Sequence, residues 1–311
     1  MSNYPVILIP RKIEEARFAL PPVPIFSEKE PQKPGKEPQK ISYSILAAES
    51  LGTVIVTSIL FPIVHIPVVL LFLVAAVAIA LHSWSQINTY PRKKQEYERR
   101  AKEYPSKMKG YQSKKGEHEE IVNALRSPEK VAEFQYKSLV QVLSQTVPHD
   151  NKNSKARVGK SEEKFGSYLK RYFPGKIQTG LKVQNSKYKK GYHYTPDFAY
   201  IDQGLKLYID IEIDEPYSGG RPTHYVELQS EQVRDNHFNS RGWVVIRFSE
   251  EQVVRYPESC CKTIAGVIAK VGGDSTILKQ FANVADVQLI RRWTKKQAKH
   301  MALGKYRDKY G

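Results

Sequence analysis

Between Leu207 and Asp214 the residues alternate strictly in character. Leu207, Ile209, Ile211 and Ile213 share one parity; Tyr208, Asp210, Glu212 and Asp214 share the other. Successive side chains of a β-strand point to opposite faces, so this octet predicts a strand with one face in an apolar core. Its other face gathers three carboxylates, which repel one another unless a cation or a proton intervenes. Any fold open to this chain has to bury the isoleucines and still answer the acids.

A second strand is expected over residues 195–201, with Gln203-Gly204 read as a two-residue turn between the pair. Antiparallel pairing through that turn sets Asp197 opposite Asp210, with Glu212 on the diagonal. Residues 162–173 have the spacing of an amphipathic helix, with Phe165, Leu169 and Phe173 on one side and Glu162 near them as a third source of acid. Short strands near 176–183 and 243–248 and helices near 229–240 and 259–271 complete an alternating order. The fold class expected is α/β, a mixed sheet flanked by helices. Hard divalent cations such as Mg²⁺ take oxygen ligands and few protein carboxylates. That chemistry suits Asp197, Glu212 and Asp210 as candidate metal ligands.

Charge narrows the choice of partners. The 311 residues hold 49 Lys and Arg against 32 Asp and Glu, a formal net charge of +17. Such an excess points to a polyanion, either nucleic acid or an anionic membrane surface. The only two cysteines are the neighbours Cys260 and Cys261. That pair excludes a disulfide framework and a structural zinc site, and predicts two small buried hydrophobes on a helix.

Along the chain, residues 1–40 read as a flexible arm rich in proline and lysine, without a secretory signal. Residues 41–84 contain no Lys, Arg or Asp. A membrane-spanning helix needs about 20 apolar residues, so this stretch predicts a transmembrane hairpin, 43–61 and 66–81, broken at Pro62 and Pro67. A buried helical hairpin in a soluble protein is the alternative. Basic residues flank both ends, Lys36 and Lys40 before and Arg92 to Lys94 after. The positive-inside rule then makes the lipid bilayer a partner and puts both termini in the cytoplasm. Residues 85–160 read as a charged, helical linker region punctuated by Pro91, Pro105 and Pro128. Residues 272–311 form a basic helical tail, suited either to nucleic acid or to anionic lipid with Trp293 at the interface.

Several pieces in order carry a resemblance. They are Ser161-Glu162-Glu163-Lys164-Phe165, Tyr194-Thr195-Pro196-Asp197-Phe198, Ile209-Asp210-Ile211-Glu212-Ile213-Asp214-Glu215, Arg234-Asp235, and Gly242-Trp243-Val244-Val245-Ile246-Arg247-Phe248. Together, over residues 161–271, they resemble the PD-(D/E)XK nuclease superfamily. More narrowly they are similar to its DUF559-type branch, related to the very-short-patch-repair endonucleases. The resemblance implies a restriction-endonuclease-like sheet and Mg²⁺-dependent hydrolysis of DNA, with RNA as the other candidate substrate and one or two ions. It implies Asp197 and Glu212 as metal ligands with Glu162 in support, and a homodimer, since relatives often cut duplexes as pairs.

One position departs from that pattern. The motif lysine should stand two residues after the glutamate, where this chain has Asp214. His224 and Lys206 are the candidates to replace it. Lys187, Lys189 and Lys190 form a basic loop suited to phosphate. Arg234 and Arg247 could also meet phosphate, or serve as a solvated helix charge and as a structural partner of Glu212 or Asp214. The rival to an active endonuclease is a nuclease-fold module that has lost cutting and holds nucleic acid or a protein partner.

Overall fold

The computed structural model describes residues 2–40, 52, 55, 66–150, 159–184 and 192–310. They divide into two compact units, one of residues 1–22 and 126–311, the other of residues 23–125.

The first unit is built on a five-stranded mixed sheet. In chain order its strands are β1 (Asn3–Tyr4), β2 (Val6–Leu8), β3 (Ile177–Gln178), β4 (Val183–Gln184), β5 (His193–Tyr194), β6 (Phe198–Asp202), β7 (Leu207–Asp214), β8 (Tyr217–Ser218), β9 (Arg221–Pro222), β10 (Val244–Ser249) and β11 (Ile290–Arg291). The main sheet runs β2-β10-β7-β6-β3, and the pairs β1-β11, β4-β5 and β8-β9 stand apart from it. Only β7 and β10 run parallel in the main sheet; its other pairs are antiparallel. Helices α1 (Arg11–Phe18), α3 (Pro128–Leu143), α4 (Lys160–Tyr172), α5 (Gln229–Ser240), α6 (Glu250–Arg255), α7 (Pro257–Gly272) and α8 (Lys295–Leu303) surround it.

The alternation of β7 is realised in full. Leu207, Ile209 and Ile211 are completely buried and Ile213 nearly so. They pack with Val244, Ile246 and Phe248 of β10, Phe165 and Leu169 of α4, and Ile264 of α7. Each such side chain contributes roughly 1.5–3 kcal/mol by leaving water. Cys260 and Cys261 lie in the same core as free thiols. A smaller cluster of Ala199, Ile201, Tyr208, Phe238, Trp243 and Val245 covers part of the opposite face. The charged residues of β7 share that second face.

The hairpin between β6 and β7 differs from the two-residue turn. Asp202 pairs with Leu207, so residues 203–206 form a four-residue loop. Asp202 Oδ1 accepts from Gly204 N (2.9 Å) and Leu205 N (3.1 Å), and Lys206 closes the loop at φ 55°. The register therefore moves by two: Ala199 faces Asp210 and Phe198 faces Ile211. A slip of two residues preserves which face each side chain occupies, so Asp197 stays on the acidic face but meets Glu212 rather than Asp210.

The first residues are no free arm. Residue Tyr4 is fully buried, and β2 extends the sheet on the free edge of β10. Helix α1 buries Ile13 and Ala16 in the main core, alongside Leu139 and Leu143 of α3. Part of the supposed linker thus belongs to the compact unit.

The second unit centres on α2 (Ile66–Leu125), a single helix of 60 residues. Among the described residues no helix is long and apolar enough to cross a membrane, which overturns the transmembrane hairpin. The expected second span is the opening of α2, which runs on through Pro91 and Pro105 into charged sequence instead of turning back. The proposed first span lies outside the described residues, apart from Gly52 and Ile55. Pairs such as Lys94–Glu98, Arg99–Glu103, Lys107–Glu103 and Arg100–Glu96 sit one turn apart on α2 and support it, Lys107–Glu103 bridging Pro105. Residues 24–28 lie along α2, where His118 Nε2 is 2.8 Å from the Pro24 carbonyl and Lys114 meets Glu28 at 2.8 Å.

Tyr4 offers a direct test of the N-terminal strand. Its hydroxyl donates to Asp214 Oδ2 at 2.8 Å across 210 residues of sequence. Tyr4→Phe should lower unfolding free energy by about 1.5–3 kcal/mol, the range for a hydrogen bond to a buried charge. Urea denaturation measures it; an unchanged midpoint would mean that the strand is not held there.

Candidate functional site

The acidic face of β7 meets its counter-charges from two elements. Arg234 comes from α5, packed over that face, and Arg247 from β10, the neighbouring strand. Both are buried, Arg247 completely. Arg234 Nη1 donates to Asp210 Oδ2 at 2.8 Å, and its Nη2 to Glu212 Oε1 at 2.6 Å. The guanidinium sits 4.7 Å from the Phe238 ring centroid, which holds its plane in place. Arg247 grips Asp214 through Nε (3.0 Å) and Nη2 (2.6 Å), and reaches Asp235 at 2.8 Å and Glu231 besides.

His224 completes the group around Asp214. Its Nδ1 lies 3.2 Å from Asp214 Oδ1 and 3.4 Å from Glu231 Oε1, and its Nε2 lies 3.6 Å from Glu215 Oε2. Burial by itself would lower the imidazole pKa, but Asp214 and Glu231 outweigh it and raise the pKa to about 9. The ring is therefore a cation at neutral pH and a poor proton acceptor. Its backbone stands at φ 47°, a strained setting for a residue with a side chain. Burial also pushes Asp214 upward, yet Arg247 and His224 hold its carboxyl below the usual range. Glu231 behaves likewise, burial being overcome by His224 and Arg247 to give about 2.

The other half of the cluster is not balanced in this way. Asp197 N–H donates to Glu212 Oε1 at 3.2 Å, and Ile213 N–H donates to Asp197 Oδ2 at 2.8 Å. These bonds lock the two carboxylates side by side on one face. Burial first, then the charges of Glu212 and Glu162, raise Asp197 well above the carboxylate range. Asp210 is raised by burial, with Glu212 adding to it and Arg234 opposing. Glu162, on the first turn of α4, has its Oε1 on Gly159 N–H at 2.9 Å. Burial raises it too, and Glu215, Glu212 and Glu250 add to the effect. Among the described residues Arg234 is the cation bonded to Asp210 and Glu212, and Arg247 acts on Glu212 electrostatically.

The predicted residues therefore separate. Asp197, Glu212, Asp210 and Glu162 come together, and His224 stands at the edge of the group. Lys206 does not: it closes the loop at the start of β7, about 20 Å along the strand from Glu212. Arg234 and Arg247, considered for phosphate contact, are consumed by buried carboxylates. Lys187, Lys189 and Lys190 lie outside the described residues. Trp293 is no lipid anchor, because it is buried against Tyr4 with ring centroids 5.1 Å apart. Sequence reading missed Tyr4 and Glu231 as members of the site; only the apolar run around Tyr4 hinted at a strand there.

An all-oxygen donor set of crowded, partly buried carboxylates is what a hard divalent cation relieves. Asp197 and Glu212 would hold it, with Glu162 beside them. Among the described residues, however, no three such side chains are already disposed to hold a metal ion.

The charge balance around Asp214 gives a pH signature. A histidine whose folded pKa is raised from 6.5 to about 9 contributes stability that is complete below 6.5 and lost as pH rises through 9. Wild type should therefore lose more stability than His224→Asn between those limits, as read by thermal unfolding. Parallel pH profiles for the two proteins would refute the charged histidine. Neither a protein-family model, nor a curated protein, nor a solved structure matches this chain.

Proposed function

We propose that the unit of residues 1–22 and 126–311 is a divalent-cation-dependent phosphodiester hydrolase acting on DNA. The observation that carries the reading is the direct opposition of Asp197 and Glu212 on one sheet face, next to Glu162, where burial and the neighbouring acids raise Asp197 despite Arg234. Buried like charges are costly. A site that keeps them crowded is poised for a cation.

A bound divalent cation would polarise a phosphate oxygen and ease the ionisation of an attacking water. The chain's own groups do the rest. Ile213 N–H aims the Asp197 carboxylate, and Arg234 fixes Glu212. Glu162 has its carboxyl raised by burial and by neighbouring acids, which makes it a readier proton carrier than an ordinary glutamate. Asp214 cannot perform the task of the lysine whose place it occupies, since Arg247 and His224 engage it. Of the two candidate replacements, His224 rather than Lys206 stands beside that position, 3.2 Å from Asp214 Oδ1.

One observation favours the rival, a non-cutting binding module. The Arg234 guanidinium already rests on both Asp210 and Glu212, so part of the acid is neutralised without a metal.

Two measurements separate the readings. Cleavage of plasmid DNA by the purified chain should require Mg²⁺ or Mn²⁺, and Asp197→Asn and Glu212→Gln should each slow it by a factor on the order of 100 or more. Without metal, Asp197→Asn should melt at a higher temperature than wild type, because it removes a buried, repelled charge and keeps the acceptor for Ile213 N–H. Mn²⁺ should stabilise wild type and not the variant. Absence of both cleavage and Mn²⁺ stabilisation in wild type would sink the hydrolase.

A further inference from the structure

Positive charge on the C-terminal helix α8 is not interleaved with acid. On α2 Lys94, Arg99, Arg100, Lys107 and Lys115 each pair with a Glu one turn away. Helix α8 is different: it carries Lys295, Lys296, Lys299 and His300 and no acidic residue. Among the described residues none of the α8 lysines is in an ion pair, although Lys295 Nζ lies 5.7 Å from the Tyr225 ring centroid and its backbone N–H donates to Glu227 at 3.1 Å. Elsewhere in the tail Arg307 pairs with Glu250 and Asp286 with Lys262. Lys295, Lys296 and Lys299 are all exposed.

The helix that bears them is firmly docked. Thr294 and Gln297 cap its first turn reciprocally, at 2.9 and 3.3 Å. Its inward side presents Ala298 and Met301 to the cluster of Tyr4, Trp293, Val6 and Tyr225. Trp293 Nε1 donates to the Thr223 carbonyl at 3.0 Å, and Val226 N–H donates to the Trp293 carbonyl at 3.0 Å. These bonds tie the start of α8 to the loop that carries His224. Beyond α8, Arg307 Nη1 reaches the Tyr217 carbonyl at 3.1 Å and Tyr310 OH reaches Glu250 at 3.0 Å. There a pocket of about 910 Å³ opens between the tail and the first turn of α4, lined by charges of both signs, Glu163, Lys164, Glu250, Arg307 and Asp308, with Tyr310. The tail thus borders the acidic cluster from the His224 loop to the neighbourhood of Glu162.

We infer that the outer face of α8, through Lys295, Lys296 and Lys299, is the phosphate-contact surface that holds nucleic acid beside the Asp197–Glu212 site. The inference rests on the hydrolase reading for its substrate class, but its chemistry is separate. Unpaired lysines on a rigid helix bind the phosphodiester backbone by releasing its counterions, without reading sequence. Lipid is the poorer occupant. A membrane-surface helix inserts an apolar side, and here that side, with Trp293, is already buried in the protein.

The test measures binding apart from cutting. A short, fluorescently labelled DNA duplex is titrated with the full chain in EDTA over a range of salt concentrations. Lys295→Ala, Lys296→Ala and Lys299→Ala combined should weaken binding about tenfold or more at low salt and flatten the log–log salt slope by about 2–3, at 0.9 per lost phosphate contact. A control with the same change of charge on α2, Lys94→Ala, Lys107→Ala and Lys115→Ala combined, should bind as wild type does. Thermal unfolding of both variants confirms that exposed lysines were removed without loss of fold. The inference is overturned if wild type does not bind the duplex, if the two variants weaken binding equally or not at all, or if phosphatidylserine vesicles capture the chain through these lysines while the duplex does not. Because the binding assay contains no metal, an inactive but duplex-binding wild type would sink the hydrolase and leave this surface standing.

Discussion

The structure depends on how the acidic face of β7 is neutralised beneath its own helix. Three carboxylates from alternate positions of one strand lie under α5 in a region where water is largely excluded. Arg234 and Arg247 enter from the helix and from the parallel neighbour strand to meet them. Buried ion pairs of this kind give little net stability, because desolvation consumes most of the attraction. Removing one partner is another matter, for it leaves an isolated charge. The network therefore fixes the placement of α5 over the sheet and the alignment of β10 with β7. Tyr4 extends the same constraint to the N-terminal strand by donating to Asp214.

How much of this was legible follows from the range of each signal. The strand over residues 207–214, its buried parity, the helix bearing Phe165 and Leu169, and the buried cysteine pair are all local patterns, and all are found. The hairpin register was misread by two residues because Gln203-Gly204 looks like a complete turn. Asp202 caps the following amides and enlarges the loop to four residues. The period of a strand forgave the error: Asp197 kept its face and changed its partner. Tyr4 and the docking of the tail could not be read in this way, since their contacts cross hundreds of residues and leave no periodic trace. The apolar stretch before residue 84 shows the opposite failure. Its composition suggested two spans, but composition does not say where a helix stops, and α2 continues through two prolines into its charged portion.

The candidate site divides along the same boundary between local and distant information. Asp197, Glu212 and Glu162 were readable because their spacing and parity place them. The fates of Arg234 and Arg247 were not, since one residue type serves both phosphate contact and internal pairing, and only burial tells these apart. Each arginine is surrounded by carboxylates at hydrogen-bonding distance. A buried guanidinium so engaged is committed to the protein's own carboxylates. Under the proposed function, phosphate contact falls to other basic residues, and among the described ones α8 presents Lys295, Lys296 and Lys299 exposed and without an acidic neighbour on the same helix.

What remains is to explain why one half of the cluster is balanced and the other is not. Around Asp214, Arg247 and His224 hold Asp214 and Glu231 below the ordinary carboxylate range, while burial raises the flanking Asp235 and Glu215. Around Asp197, the acids are raised by burial and by one another. Both halves are built on the same strand, so a protein needing only stability could have extended the arginine solution by one more residue, or replaced Asp197 with an amide that accepts the same Ile213 N–H. A crowded acid held in place by backbone hydrogen bonds, and left short of counter-charge, is a cost to the metal-free fold. Such costs concentrate where a protein binds or reacts. The balanced half keeps the sheet and α5 in register, and that rigidity is what allows the unbalanced half to hold its carboxylates together.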